Sequence, residues 1–213
     1  MSLRSKRDLE IVLSKLKTFT DPSAKLEQYQ TPSSIAASWV WEMAMRSEVA
    51  GKTILDAACG TGILGLGLLL LGARKVYFLD IDSKVLNICI ENYNTLKQEY
   101  ELGTAEFLPQ DINLFDGAVD LVIQNPPFGT KDEHADKRFL EKAFNLAPLV
   151  YSMHKYSTKK FLEVIAKDHN FAITHIYQHE FPIKRAFSFH TKPVEKIEVA
   201  IWRLEKRTEN FEK

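Results

Sequence analysis

Ile54-Leu55-Asp56-Ala57-Ala58-Cys59-Gly60-Thr61-Gly62 reads as a buried strand that runs into a turn of small residues and out into a helix. Gly60 and Gly62 let the backbone approach a ligand closely, and a helix beginning at Thr61 presents unpaired N–H groups to it. With Gly65 they satisfy G-x-G-x-x-G, the dinucleotide fingerprint, so a nicotinamide enzyme is one reading of the turn. Asp56 pulls the other way: a carboxylate at the strand tip repels a pyrophosphate and suits a cationic ligand.

Outward from this unit, short apolar runs bounded by turn residues recur at Thr53 to Ala57, Lys75 to Asp80, Ala105 to Leu108, Val119 to Gln124 and Leu149 to Met153. The stretches between them, Thr61 to Leu71, Ser83 to Tyr100, Lys137 to Leu146 and Ser157 to Asn170, have helical length. Strand, helix, strand in repetition implies parallel pairing with right-handed crossovers, hence an open α/β sheet covered on both faces. Phe171 to His179 and Ile197 to Leu204 break that rhythm and predict an antiparallel edge joined by the long segment Glu180 to Lys196. Before the sheet, Leu9, Val12, Leu13, Leu16 and Phe19 recur at helical spacing and predict a first amphipathic helix closed by Asp21-Pro22. A second helix is expected from a Ser33 or Ser34 cap to Gly51. Residues 1–50 are expected to form a helical extension packed on a core of residues 51–213, within one compact domain.

Composition sets bounds on function. The 213 residues, 45% hydrophobic and 26% charged, match an ordinary globular chain. The longest apolar stretch, Ile63 to Leu71, is broken by Gly65 and Gly67, and the charged N-terminus has no signal-peptide core, so a cytoplasmic location is expected. Cys59 and Cys89 form no C-x-x-C unit, and His175 and His179 have no carboxylate or thiol at ligand spacing, so no metal is expected. The 28 basic residues balance 28 acidic ones, so nucleic-acid contact has to come from local patches.

Further polar residues fall at strand ends. Asp80, with Ile81 beside it, follows the second strand and can accept both ribose hydroxyls of a nucleoside. Asp111 follows the third, where it can reach an adenine amine with Ile112 against the ring, or cap a turn. After the fourth comes Asn125-Pro126-Pro127-Phe128. Two prolines in succession force an extended turn with free carbonyls. The Asn125 side-chain oxygen and the Pro126 carbonyl can take the two N–H bonds of a planar amino group, and Phe128 can lie against the ring that carries it.

In this order, the residues resemble class I S-adenosylmethionine-dependent methyltransferases, and Asn125 to Phe128 resemble the N-P-P-[FY] motif of those that methylate exocyclic or amide nitrogen. Leu26-Glu27-Gln28-Tyr29-Gln30-Thr31-Pro32, Asn125 to Lys131, and Val150-Tyr151-Ser152-Met153-His154-Lys155 look like the archaeal and eukaryotic N6-adenine methyltransferases of small-subunit ribosomal RNA. The resemblance implies a Rossmann-like α/β fold with a seven-stranded, mostly parallel sheet and one antiparallel edge strand, and S-adenosylmethionine as cofactor. It implies that Gln28 and Thr31 join Asp56, Gly60, Gly62, Asp80, Ile81, Asp111, Ile112 and Asn125 around that cofactor. It also implies a small zinc-containing activator protein on the sheet edge. The family's first turn reads D-x-G-x-G-x-G, and its first glycine is here Ala58, which positive φ would strain. Lys184, Arg185, Phe187, Phe189 and Lys192, together with Phe181 and His190, interleave aromatic and basic side chains suited to unpaired RNA. Rival readings are methylation of DNA adenine or a glutamine amide, and a non-catalytic RNA- or cofactor-binding module.

Overall fold

The computed structural model describes residues 3–23, 26–128, 135–184 and 194–208. Seven strands, β1 (Thr53–Ala57), β2 (Lys75–Asp80), β3 (Thr104–Pro109), β4 (Leu121–Gln124), β5 (Leu149–Lys155), β6 (Phe171–Lys184) and β7 (Val194–Lys206), form one sheet in the order β3-β2-β1-β4-β5-β7-β6. β1 to β5 pair in parallel, while β7 runs against both β5 and β6 and makes the antiparallel edge, with β6 outermost. β1 and β4, at the centre, are buried along their whole length, which is why both read as unbroken apolar runs.

Side-chain alternation divides the core between the two faces. Ile54, Val76, Phe78, Ile123, Tyr151 and Ile201 point toward α1 (Lys6–Ser14), α2 (Ser33–Met45), α3 (Ile63–Leu70) and α4 (Ser83–Lys97). Leu55, Leu79, Val122, Val150 and Trp202 point toward α5 (Ala135–Leu146) and α6 (Lys159–Asp168). Leu9 and Leu13 of α1 and Val40 and Met43 of α2 share the first of these clusters, so the N-terminal helices complete the same core.

Three sequence expectations shift. The first helix stops at Ser14, well short of Phe19. Buried Asn92 on α4 accepts from the Lys17 N–H at 2.8 Å and donates to the Lys17 carbonyl at 3.0 Å, taking the groups that would continue the helix. Neither Ser33 nor Ser34 caps α2; Pro32 does, through its carbonyl to the Ala36 N–H, and the helix ends at Met45. The long link after His179 is strand at both of its ends, because β6 and β7 keep pairing out to Lys184 and Val194. Phe181 is fully buried there.

Candidate active site

Strand order reverses between β1 and β4, so the connections leaving these neighbours diverge and a crevice opens at their carboxyl ends. A cavity of about 240 Å³ lies there. Of the residues expected from sequence, Gln28, Thr31, Gly60, Asp80 and Ile81 line it. Asp111, Ile112, Asn125 and Pro127 complete the set. Asp56, Gly62, Pro126 and Phe128 do not line it.

The turn after β1 is held from below and behind. Gly60 has φ +56° and gives its N–H to Asp80 Oδ2 at 2.8 Å. Gly62, at φ +87°, is the N-cap of α3, which begins at Ile63, two residues past the helix start expected at Thr61. A Cβ at Gly62 would overlap Cys89 Sγ, so the close packing of α3 on α4 requires a glycine here. Ala58 has φ +56°, the strained conformation that its departure from the family pattern raised. Ala58→Gly is therefore expected to stabilise the ligand-free protein by about 1 kcal/mol, read as a rise of roughly 2–4 °C in thermal midpoint.

Asp56 also moves from the expected role. Its side chain is buried, and Oδ2 accepts the Gly65 N–H at 2.8 Å, inside the first turn of α3. That amide is one a phosphate would need, so the carboxylate occupies the anion site a dinucleotide would use. Burial pushes the Asp56 carboxyl up to about 8, with the nearby Asp80 charge adding to it and the Gly65 N–H opposing. The native state thus keeps a proton that the unfolded chain releases above roughly pH 4, and stability falls as pH climbs from there toward the raised value. Asp56→Asn carries no such proton. The variant should match the wild type in urea midpoint near pH 4 and exceed it at pH 8; equal midpoints at both would show that Asp56 is ionised in the fold.

Asp80 stands at the tip of β2 with Oδ1 accepting the Asp82 N–H at 2.9 Å, and it lines the cavity. Burial raises its pKa, against the backbone donors Asp82 and Gly60. Asp111 caps a 3₁₀ turn, its Oδ1 accepting the Asn113 N–H at 2.9 Å, and with Ile112 it also lines the cavity. Glu27, Asp80 and Asp111 face Arg138 as the charged lining, so the site favours a cation over a pyrophosphate. A diol acceptor, an amine acceptor and an acidic wall fit S-adenosylmethionine.

The segment 26–32 closes the site and ties its two ends together. Gln28 Nε2 donates to Asp82 Oδ2 at 2.9 Å, and Thr61 Oγ1 donates to Gln30 Oε1 at 2.9 Å, both on the cofactor side. On the far side, Asn125 Nδ2 donates to Thr31 Oγ1 at 2.9 Å, and Glu27 accepts the Phe128 N–H at 2.9 Å. Thr31 therefore fixes the amide of Asn125 so that Oδ1 is its remaining acceptor. Pro126 is buried; Phe128 is half-buried, with its ring edge-to-face against Phe181 at 6.4 Å. Beneath the turn, Gln124 Nε2 donates to Ser152 Oγ at 3.0 Å, which lies 2.6 Å from His154 Nε2. Burial holds His154 below its ordinary range. This neutral chain locks the ends of β4 and β5.

Sequence reasoning missed Phe19, Glu27, Gln30, Arg138 and Phe139, all of which line the cavity. Phe19 was counted on a helical face, and it lies beyond the helix, where a Cβ on Gly60 would come within 3.1 Å of its ring. Of the RNA-contact residues, Phe181 is core, and Arg185, Phe187, Phe189, His190 and Lys192 lie outside the described residues, as does the side chain of Lys184. Among the described residues no cluster of three His, Cys, Asp or Glu could hold a metal.

Comparison with known proteins agrees with this geometry. Residues 37–148 match the family described as Methyltransferase small domain. Protein PH1948 from Pyrococcus horikoshii superposes with a TM-score of 0.88 at 38% identity, over 97% of this chain and 100% of that one. The rRNA N(6)-adenosine-methyltransferase Mettl5 of Drosophila melanogaster is 33% identical over 95% of this chain and 97% of its own length. Protein MJ0284 of Methanocaldococcus jannaschii is 34% identical over 94% of both chains. With the crevice, the acidic lining and the Asn-Pro-Pro-Phe turn in place, the chain belongs to the methyltransferase small domain family.

Proposed function

We propose that this enzyme transfers a methyl group from S-adenosylmethionine to N6 of one adenine in small-subunit ribosomal RNA. The observation that carries the reading is the Asn125 amide at the cofactor cavity, whose nitrogen is engaged by Thr31 so that its oxygen is the acceptor left for a substrate amine. The cofactor, when bound, supplies an electrophilic methyl on a sulfonium. Asp80 takes its ribose hydroxyls, Asp111 its adenine amine, and Ile81 and Ile112 flank the ring. Adenine N6 is a poor nucleophile while its lone pair is delocalised into the ring, and two acceptors draw the amine toward tetrahedral geometry. Their hydrogen bonds strengthen as positive charge develops on nitrogen, so they stabilise the transition state more than the ground state. Placing amine and methyl in contact supplies much of the remaining acceleration.

The substrate named for the Drosophila relative supports RNA adenine over DNA adenine or a glutamine amide. Lys184, Arg185, Phe187, Phe189 and Lys192 supply phosphate contact and stacking in this reading. The small zinc-containing activator docks on an open sheet edge, where the outermost strand β6 carries the part-exposed Ile176. Among the described residues no helix is long and apolar enough to cross a membrane; the cytoplasm, where ribosomal RNA is met, is the proposed location. The test is tritium transfer from labelled S-adenosylmethionine to RNA, DNA and protein in parallel, with mass spectrometry of the digested RNA. N6-methyladenosine at one position is expected; label on DNA or a glutamine amide with none on RNA adenine would overturn the assignment.

A further inference from the structure

A second cavity, of about 540 Å³, lies against the outer side of the segment 26–32, between the end of α1, the start of α2 and Pro182 of β6. Its volume falls in the range of small-molecule sites. Among the described residues its lining holds no charged side chain; Phe19 and Tyr29 supply aromatic surface, and Ser14, Thr18, Gln30 and Ser33 supply hydroxyls and an amide. Such walls suit an uncharged planar ring with donors and acceptors on its edge, and suit neither a phosphate nor an acidic or basic peptide. Two contacts join this cavity to the acceptor turn. Thr31 lines both cavities and holds Asn125 at 2.9 Å, and Pro182 follows Phe181, whose ring meets Phe128.

On the reading that RNA adenine is the acceptor, we propose that the second cavity receives the base next to the target adenine in the RNA chain. An adenine reaches Asn125 only when it is unstacked, and a neighbour drawn into a separate cleft can no longer stack on it. Single-stranded RNA is read in this way, with splayed bases lying on aromatic side chains and hydrogen-bonded along their edges. The uncharged lining leaves the phosphates outside the cavity.

The experiment uses the full chain and RNAs spanning the adenine mapped above, either intact or abasic at one neighbouring position. Ser14→Trp and Thr18→Trp fill the second cavity from residues that do not line the cofactor cavity. Unchanged S-adenosylmethionine affinity by calorimetry reports that each variant is folded. The wild type should lose about ten-fold or more in kcat/KM when one neighbour is abasic, and the variants, already slower on intact RNA, should lose less than about two-fold, in keeping with the worth of a stacked base. Equal rates of the wild type on intact and abasic RNAs, or the full ten-fold preference retained in both variants, would overturn the proposal while leaving the N6-adenine reading intact. No methyl transfer to any RNA by the wild type would remove both.

Discussion

Asn125→Ala is expected to lower methyl transfer by at least about a hundred-fold, the scale of losing one preorganised transition-state hydrogen bond, with S-adenosylmethionine affinity within about two-fold of the wild type. The split follows from geometry. Asn125 touches the cofactor cavity at its acceptor end, and its nitrogen bonds to Thr31, not to the residues at the ribose or adenine positions. The truncation removes the acceptor oxygen and releases Thr31, while Asp80, Asp111 and Gly60 keep their places. The turn itself stays anchored by the Phe128 N–H on Glu27 and by the Gln124–Ser152–His154 chain beneath it. Calorimetry and a single-turnover assay on the same preparation decide the matter. Retained activity, or loss of affinity and activity together with the fold, would show that the turn is structural.

Asp80→Ala carries the second large effect, a loss of cofactor affinity on the order of 2 kcal/mol, or about 30-fold in Kd. Asp80 serves twice in this proposal, since its oxygens accept from Gly60 and Asp82 and it lines the cavity as the proposed acceptor of the ribose hydroxyls. Removing it therefore takes away a charge-assisted acceptor pair and frees the Gly60 amide from its conformation. Because burial raises the Asp80 pKa, the same affinity in the wild type should begin to fall at a higher pH than an exposed aspartate would allow, as protonation removes an acceptor. Titration calorimetry with S-adenosylmethionine and with NAD in parallel tests both points. Wild-type affinity in the variant, or tighter binding of NAD by the wild type, would refute the cofactor assignment.

Much of this protein follows from local pattern. The apolar runs at Thr53 to Ala57, Lys75 to Asp80, Ala105 to Leu108 and Val119 to Gln124 place strands, the last of them shortened to Leu121–Gln124, because period and length are properties of neighbouring residues. Their polar ends, Asp80, Asp111 and Asn125, converge on one cavity because parallel strands bring all their carboxyl ends to one edge of the sheet. What the sequence by itself could not decide is which way a residue near the turn faces. Asp56 and Asp80 are both strand-end carboxylates, and only the packing of α3 on β1 turns the first inward to the Gly65 amide while the second lines the cavity. Gly60 and Gly62 read alike as well, until Cys89 on α4 makes the second a packing glycine. Phe19 and Glu27 join the site through contacts to Gly60 and Phe128, far along the chain, which no local period encodes. Strand identity and site edge were thus fixed by alternation and turn chemistry, whereas the facing of each carboxylate and the closure of the cavity by residues 26–32 were settled by long-range packing and hydrogen bonds.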